Sequence, residues 1–197
     1  MNTIKSVVID GNDTYEYMKS VLNNESVEQI EFRYCDMTNE DIIKLSNYKK
    51  YIKISFINCN FEDVSFVKKI KTQSLSFIDS NIDNYDFISE VNNLKALTVI
   101  GNTIDMSLVK NPEKLLYLRL SGSMVYHIDK INLENLKYLF IDETNIDSLD
   151  FVKKLSHLKL LCISTVQEEN NFEVISSIEN RVKIINDIIE IGEITND

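Results

Sequence analysis

The sequence predicts an α/β solenoid: a right-handed coil of short repeats, with a parallel sheet on the concave face and short helical or 3₁₀ returns on the convex face. Three observations predict it. An apolar pattern returns about every 22 residues, and the segment after each predicted strand repeats a second set of apolar offsets. Turn residues are scarce, with only four Gly and one Pro, which disfavours a hairpin-rich sandwich or barrel.

The strand part of each repeat follows the pattern L-x-x-L-x-L-x-x-N/C-x-L. Its second apolar anchor recurs at separations of 24, 21, 22, 21, 21, 22 and 21 residues. One unit cannot bury its inward residues alone, so neighbouring units must stack about 4.8 Å apart around a shared core. This spacing predicts about eight parallel strands, with anchors at Ile30, Ile54, Leu75, Leu97, Leu118, Leu139, Leu161 and Val182.

The segment that follows each strand is also repeated. Three copies, which begin at Phe61, Ile82 and Ile146, carry apolar residues at offsets 0, 3, 5, 6 and 9. These offsets are typical of a tight turn followed by a short helical or 3₁₀ return.

The 22-residue period and the segment N-I-D-S-L-D-F-V-K-K-L at 145–155 resemble the internalin-type bacterial leucine-rich repeat, over roughly 27–166. The resemblance implies protein binding and not host-cell invasion. The sequence departs from the family in having Asn at the small polar turn position only at Asn102, and in lacking a recognisable secretion signal or wall anchor. It also has Phe where internalins usually carry Pro, at Phe66, Phe87 and Phe151.

The two ends of the solenoid are expected to be capped. A strand is predicted over Ile4–Ile9, followed by a helix with a capping-box-like start at Asp13-x-x-Glu16, and a second helix signal lies at Thr38-x-x-Asp41. The chain is therefore predicted to comprise an N-terminal cap at 1–26, repeats at 27–166, and a degenerate repeat with an acidic C-terminal cap at 167–197.

The net charge of −10 is concentrated near the C-terminus, where residues 168–197 hold eight acids and two bases. Such a surface disfavours nucleic acid and anionic lipid and favours a basic protein partner; the alternative is that it only keeps the protein soluble. No apolar stretch is long enough to span a membrane, and no signal peptide is recognisable, so the expected location is cytoplasmic.

Few residues are candidates for chemistry, and no catalytic, cofactor-binding or metal-binding residues are expected. His127 and His157 lie in different repeats, away from strand positions. Cys35 and Cys59 occupy the small polar turn position and are expected to be buried and structural, whereas Cys162 is expected to be more exposed on the concave face.

The residues between the inward anchors are expected to face solvent on the concave side of the sheet. An apolar patch with aromatic and Arg neighbours is typical of an interface core. The alternatives are that these residue types merely favour strands, or that an internal helix or the C-terminal tail covers them. The proposed partner-binding residues are Ile57, Ile78, Ile100, Tyr117, Arg119, Tyr138 and Phe140.

Two functions are compatible with these features. The first is a protein-binding module that uses its concave face. The second is a cytoplasmic immunity or antitoxin protein that inhibits a basic toxin or enzyme. The sequence does not predict the oligomeric state.

Overall fold

The structure is a computed structural model that describes residues 5–13, 15–22, 24, 26–37, 51–61, 63–64, 67, 70–83 and 85–186. Its strands are β1 (Lys5–Asp10), β2 (Val27–Arg33), β3 (Asp36–Met37), β4 (Tyr51–Ile57), β5 (Asn60–Phe61), β6 (Thr72–Ile78), β7 (Ala96–Ile100), β8 (Thr103–Asp105), β9 (Tyr117–Arg119), β10 (Met124–Tyr126), β11 (Tyr138–Phe140), β12 (Leu160–Ile163) and β13 (Lys183–Asn186). Its α-helices are α1 (Tyr15–Leu22), α2 (Thr165–Asn170) and α3 (Phe172–Ile178).

One parallel sheet runs the length of the described chain, in the order β1-β2-β4-β6-β7-β9-β11-β12-β13. Since the order follows the chain and every pairing is parallel, each strand belongs to one coil of a solenoid. The predicted α/β solenoid is therefore confirmed.

The predicted strand register is confirmed for seven of the eight units. The anchor pairs are Ile30 with Ile54, Ile54 with Leu75, Leu75 with Leu97, Leu97 with Leu118, Leu118 with Leu139, and Leu139 with Leu161. All seven side chains are buried.

The nine described strands are the eight predicted repeat strands and β1, which lies where the N-terminal strand was predicted and joins the sheet beside β2. One detail of the predicted register is wrong. At the other end, Leu161 pairs with Ile184 and not with Val182. The shift of two residues keeps the same side of the strand inward, because side chains alternate with a period of two.

The core of the N-terminal coils contains a stack of phenylalanine rings. Phe56 lies between Phe32 and Phe77, with ring centroids 5.3 Å from each and nearly parallel planes. Phe61 packs edge-on against Phe56 at 5.1 Å, and all three stacked rings are fully buried. Because the coils are in register, residues at the same inward position of successive repeats lie directly above one another.

On the convex side, the chain returns to the next strand through short 3₁₀ segments, as the second repeated pattern predicts. Phe87 and Phe151 lie in two of these segments and are buried, so their rings fill the core from the convex side. Phe66 and the helix signal at Thr38–Asp41 lie outside the described residues. The 3₁₀ segments are Asp86–Glu90, Met106–Leu108, Pro112–Lys114, Ile128–Lys130 and Asp150–Lys154.

The turns after β2, β4, β6, β7, β9 and β11 each have a residue with positive φ. In several of these turns the N–H of that residue donates to a carbonyl of the next coil, as Asn58 does to Ile78 and Asp79 to Ile100, each at 2.9–3.0 Å. At Gly101, whose φ is +71°, an added Cβ would crowd the Asp79 carboxylate, and glycine adopts positive φ without strain. The set is Tyr34, Asn58, Asp79, Gly101, Gly122 and Glu143.

Two C-terminal helices replace this turn after β12. Ser164 caps α2, and Gln167 completes the capping box by accepting from the Ser164 N–H at 3.0 Å. The Gln167 side-chain amide also donates to Thr144 Oγ1 and to the Ile146 carbonyl, both at 3.1 Å. One buried side chain therefore joins α2 to the preceding coil.

Replacing Gln167 by Ala is expected to lower the free energy of unfolding by about 1–3 kcal/mol, because buried polar groups of the preceding coil lose their partner. Urea denaturation measures this. Glu169→Ala, at an exposed position of the same helix, is the control and should change stability by about 0.5 kcal/mol or less. Equal effects of the two changes would contradict the role given to Gln167.

Candidate protein-binding face

The concave side of the sheet carries a stripe of three isoleucines. Ile57 pairs with Ile78, and Ile78 with Ile100, so their side chains lie on the same face of three consecutive strands. Each is half-buried. Arg33 continues the column on β2, where its Nε donates to Glu31 Oε1 at 2.6 Å. The predicted stripe of stacked isoleucines is therefore present and partly accessible.

An aromatic cluster follows the stripe along the solenoid. Tyr117 lies beside Tyr138 in register, with ring centroids 6.4 Å apart, and 5.3 Å from the Phe140 ring. The Arg119 guanidinium carbon lies 5.7 Å from the Phe140 centroid, within cation–π range. These four side chains form one cluster on β9 and β11.

Phe140 and Cys162 differ from the expectation that concave residues face solvent. Phe140 is only 2% exposed and Cys162 is fully buried, and neither belongs to the contiguous core cluster. Phe140 is buried on the concave side because the Tyr117 ring and the Arg119 side chain pack against it. It supports the surface that Tyr117 and Arg119 present and offers almost no area of its own.

A polar chain runs beside this cluster. Ser121 donates to Asp142 Oδ1 at 2.6 Å, and Arg119 Nε donates to Ser121 Oγ at 3.4 Å. Ser121 and Asp142 are buried, so the chain holds the stem of Arg119 in place across two coils. An Arg held by such contacts loses less conformational freedom when a partner binds.

The Tyr117 side chain is partly buried, and its hydroxyl lies near the Arg119 guanidinium. Burial raises the pKa of Tyr117 above its ordinary value, and the nearby Arg119 opposes that rise. The phenol therefore stays protonated at physiological pH and can donate a hydrogen bond to a partner.

The two edges of the concave face differ in charge. Because all strands are parallel, every turn that follows a strand lies on one edge. In the described turn residues 34–37, 58–61, 63–64, 79–83, 101–105, 122–127 and 143–149 there is no Lys or Arg. Their acids are Asp36, Asp63, Asp79, Asp83, Asp105, Glu143 and Asp147. We call this set the acidic rim.

The opposite edge of the sheet, where the strands begin, carries lysines. Lys71, Lys95, Lys137 and Lys159 each stand immediately before a strand of the main sheet. Both sets are visible in the sequence once the strand limits are known, although the prediction considered only the acidic C-terminal end.

A polar groove of about 540 Å³ lies where β4, β6 and β7 end. It is lined by side chains that include Asn58, Asp79, Asn81 and Asn102. Asn58 and Asp79 directly follow Ile57 and Ile78, so the groove borders the isoleucine stripe. An apolar centre with a polar margin is the usual anatomy of a protein interface.

Within the described residues, no cluster of three or more His, Cys, Asp or Glu side chains could hold a metal ion. His127 Nδ1 lies 2.9 Å from Asp105 Oδ1 at the surface, and His157 Nδ1 lies 2.9 Å from the Glu134 carbonyl. None of the helices described is both long and apolar enough to cross a membrane.

The solved structures similar to this chain include two internalins from Listeria monocytogenes. The first, InlF, aligns with a TM-score of 0.66 and 18% sequence identity over 84% of this chain and 50% of that one. The second, InlC2, aligns with a TM-score of 0.56 and 17% identity over 73% of this chain and 74% of that one. This chain thus spans half the length of the InlF structure.

No protein-family model matches the sequence, and no curated protein matches it significantly. At these levels of identity, the two structures are evidence for the fold. The parallel sheet with one strand per coil, the 3₁₀ returns and the two structural neighbours show that the chain has a leucine-rich-repeat solenoid fold similar to that of these internalins.

Proposed function

We propose that the protein is a non-enzymatic binding module that holds another protein against its concave face. The partner's apolar side chains would lie on the isoleucine stripe, and Tyr117, Arg119 and Tyr138 would contact its border. Solenoids commonly bind through the surface created by their stacked repeats. Tyr and Arg are among the residues that contribute most to binding in protein interfaces.

The observation that carries this proposal is the in-register, half-buried column of Ile57, Ile78 and Ile100. The preference of isoleucine for strands explains why it occurs at these positions. It does not explain why the column lies beside Tyr117 and Arg119, whose side chains pack against Phe140. Phe140, buried beneath these side chains, is a supporting residue in the proposal.

Site-specific photo-crosslinking tests the proposal directly. A benzophenone amino acid at position 78 should give a defined adduct with one protein in the native cell. The same amino acid at Val166, an exposed apolar position on α2, is the control and should not. Adducts at Val166 alone, or none at position 78 while the purified variant is folded, would contradict concave binding.

The acidic rim favours a basic partner, since like charges across an interface are unfavourable and opposite charges speed association. Reversing Asp83 and Asp147 to Lys together is expected to slow association with the crosslinked partner about tenfold at low salt. Surface plasmon resonance at two salt concentrations measures the rate.

The matched control reverses Asp129 and Glu173, which are exposed and lie outside the acidic rim. These two changes should leave the association rate nearly unchanged. Equal slowing by both double variants would mean that net charge, and not the rim, steers the partner. If the partner proves to be a basic toxin or enzyme, loss of its activity on binding would support the inhibitor alternative.

A further inference from the structure

Cys35 and Cys59 lie side by side in adjacent coils. The backbone is bonded between the coils on both sides of the pair: Tyr34 N–H donates to the Ile57 carbonyl at 2.9 Å, and Asn60 N–H to the Cys35 carbonyl at 3.0 Å. Asp36 then pairs with Asn60 in β3 and β5. The two cysteines are thus held in register, one strand spacing or about 4.8 Å apart.

Each thiol makes the hydrogen bonds that the turn requires. Cys35 Sγ donates to the carbonyls of Ile9 at 3.6 Å and Arg33 at 3.2 Å. Cys59 Sγ has the equivalent partners in its own coils, at 3.5 and 3.4 Å. Burial of both thiols is confirmed, as the sequence predicts.

Serine makes the same bonds in the next coil. Ser80 Oγ donates to the carbonyls of Phe56 at 3.3 Å and Ile78 at 3.1 Å. The turn therefore does not require sulfur. Cysteines in two adjacent coils can be oxidised, which two serines at the same positions could not be.

We propose that Cys35 and Cys59 are a redox modification site, at which a peroxide converts the two thiols into an intrachain disulfide. The thiolate of one cysteine attacks a peroxide oxygen, forms a sulfenic acid and releases the first water. The second cysteine attacks that sulfur, the S–O bond breaks, and the second water leaves. Two thiols lose two electrons and two protons, and hydrogen peroxide is reduced to two waters.

Both the spacing of the two cysteines and the pKa values of their thiols support formation of the disulfide. A spacing of about 4.8 Å lies within the Cα–Cα range of disulfides, about 4.4–6.8 Å. The hydrogen bond between the two thiols raises the pKa of Cys35, with burial adding to the rise, and lowers the pKa of Cys59. One thiol of the pair is therefore favoured as the thiolate.

The bond should also be easy to reduce. In-register strands hold their Cβ atoms about one strand spacing apart, whereas a disulfide needs about 3.8 Å, so the two coils must move together. Strain of this kind makes a disulfide more reducible. The modification is therefore expected to be reversible.

The third cysteine is a built-in control. Cys162 is fully buried, and its in-register neighbours are Phe140 and Ile185, so no thiol faces it from either adjacent strand. The proposed link should form without it.

The test treats the folded protein with hydrogen peroxide, quenches, denatures and alkylates with N-ethylmaleimide, then maps peptides by mass spectrometry. The chain has three cysteines. We expect a Cys35–Cys59 linked peptide, with only Cys162 still alkylated, and recovery of all three thiols after dithiothreitol. Cys162→Ser should give the same link.

Cys35→Ser and Cys59→Ser should remain folded, since Ser80 occupies the same turn position. Neither should form an intrachain link, and the remaining thiol should be trapped as sulfenic acid by dimedone. Three alkylated thiols in the peroxide-treated wild type would overturn the proposal, as would a link that includes Cys162 or overoxidation without a link. A link that forms equally well in urea would show that the fold does not direct it.

Discussion

Replacing Phe56 by Ala is expected to lower the free energy of unfolding by about 3–5 kcal/mol. Phe56 is the middle ring of the stack, in contact with Phe32, Phe77 and Phe61, and is fully buried. The substitution removes the apolar area of one ring and leaves a cavity that two rigid neighbours cannot fill. Guanidinium denaturation followed by circular dichroism measures the change.

Phe172→Ala is the matched control, because the same side chain is removed where it is 70% exposed. We expect a change of about 0.5 kcal/mol or less. A Phe56→Ala protein as stable as wild type would contradict the stacked core and, with it, the register that produces it.

Ile78→Asp is expected to weaken binding of the concave-face partner about 30-fold or more, which corresponds to about 2 kcal/mol. Ile78 is the centre of the isoleucine stripe, between Ile57 and Ile100. A carboxylate there must be desolvated against apolar side chains when the partner binds. Calorimetry with the partner identified by crosslinking measures the loss.

Val166→Asp makes the same chemical change on α2, where the side chain is 64% exposed, and should bind like wild type. Circular dichroism must show that both variants are folded. If Ile78→Asp unfolds the protein, the column is more deeply buried than its half-exposed state implies. If it is folded and binds normally, the partner uses another surface.

The sheet could be predicted from the sequence because its coils are linked by strict spacing. Seven anchors from Ile30 to Leu161 pair as the 21- to 24-residue separations require. The register failed at Val182 because α2 and α3 lie between β12 and β13, so spacing alone no longer determines which residue meets Leu161.

The sequence indicates which residues of the candidate site lie on the concave face, but not how deeply each one is buried. Alternation along strands indicates which side chains point to the concave face, and it placed Ile78, Tyr117 and Arg119 correctly. It does not indicate how neighbouring side chains cover one another. Phe140 is buried because Tyr117 and Arg119 pack against it, and this depends on side-chain conformations that strand spacing does not determine.

Small side chains on the concave face differ from expectation for a related reason. Ser55 and Ser76 lie in a concave column but are buried, because a short hydroxyl is shielded by longer neighbours such as Ile57 and Ile78 on the same strands.

Hydroxyl-radical footprinting of the free and partner-bound protein tests the central claim most directly, because it compares the same residue type on two surfaces. Tyr138 belongs to the concave cluster and is 36% exposed, whereas Tyr17 lies on α1, outside both that cluster and the acidic rim, and is 43% exposed. Concave binding predicts that the partner strongly reduces oxidation of Tyr138 and leaves Tyr17 unchanged. Protection of Tyr17, with Tyr138 oxidised as fast as in the free protein, would contradict it.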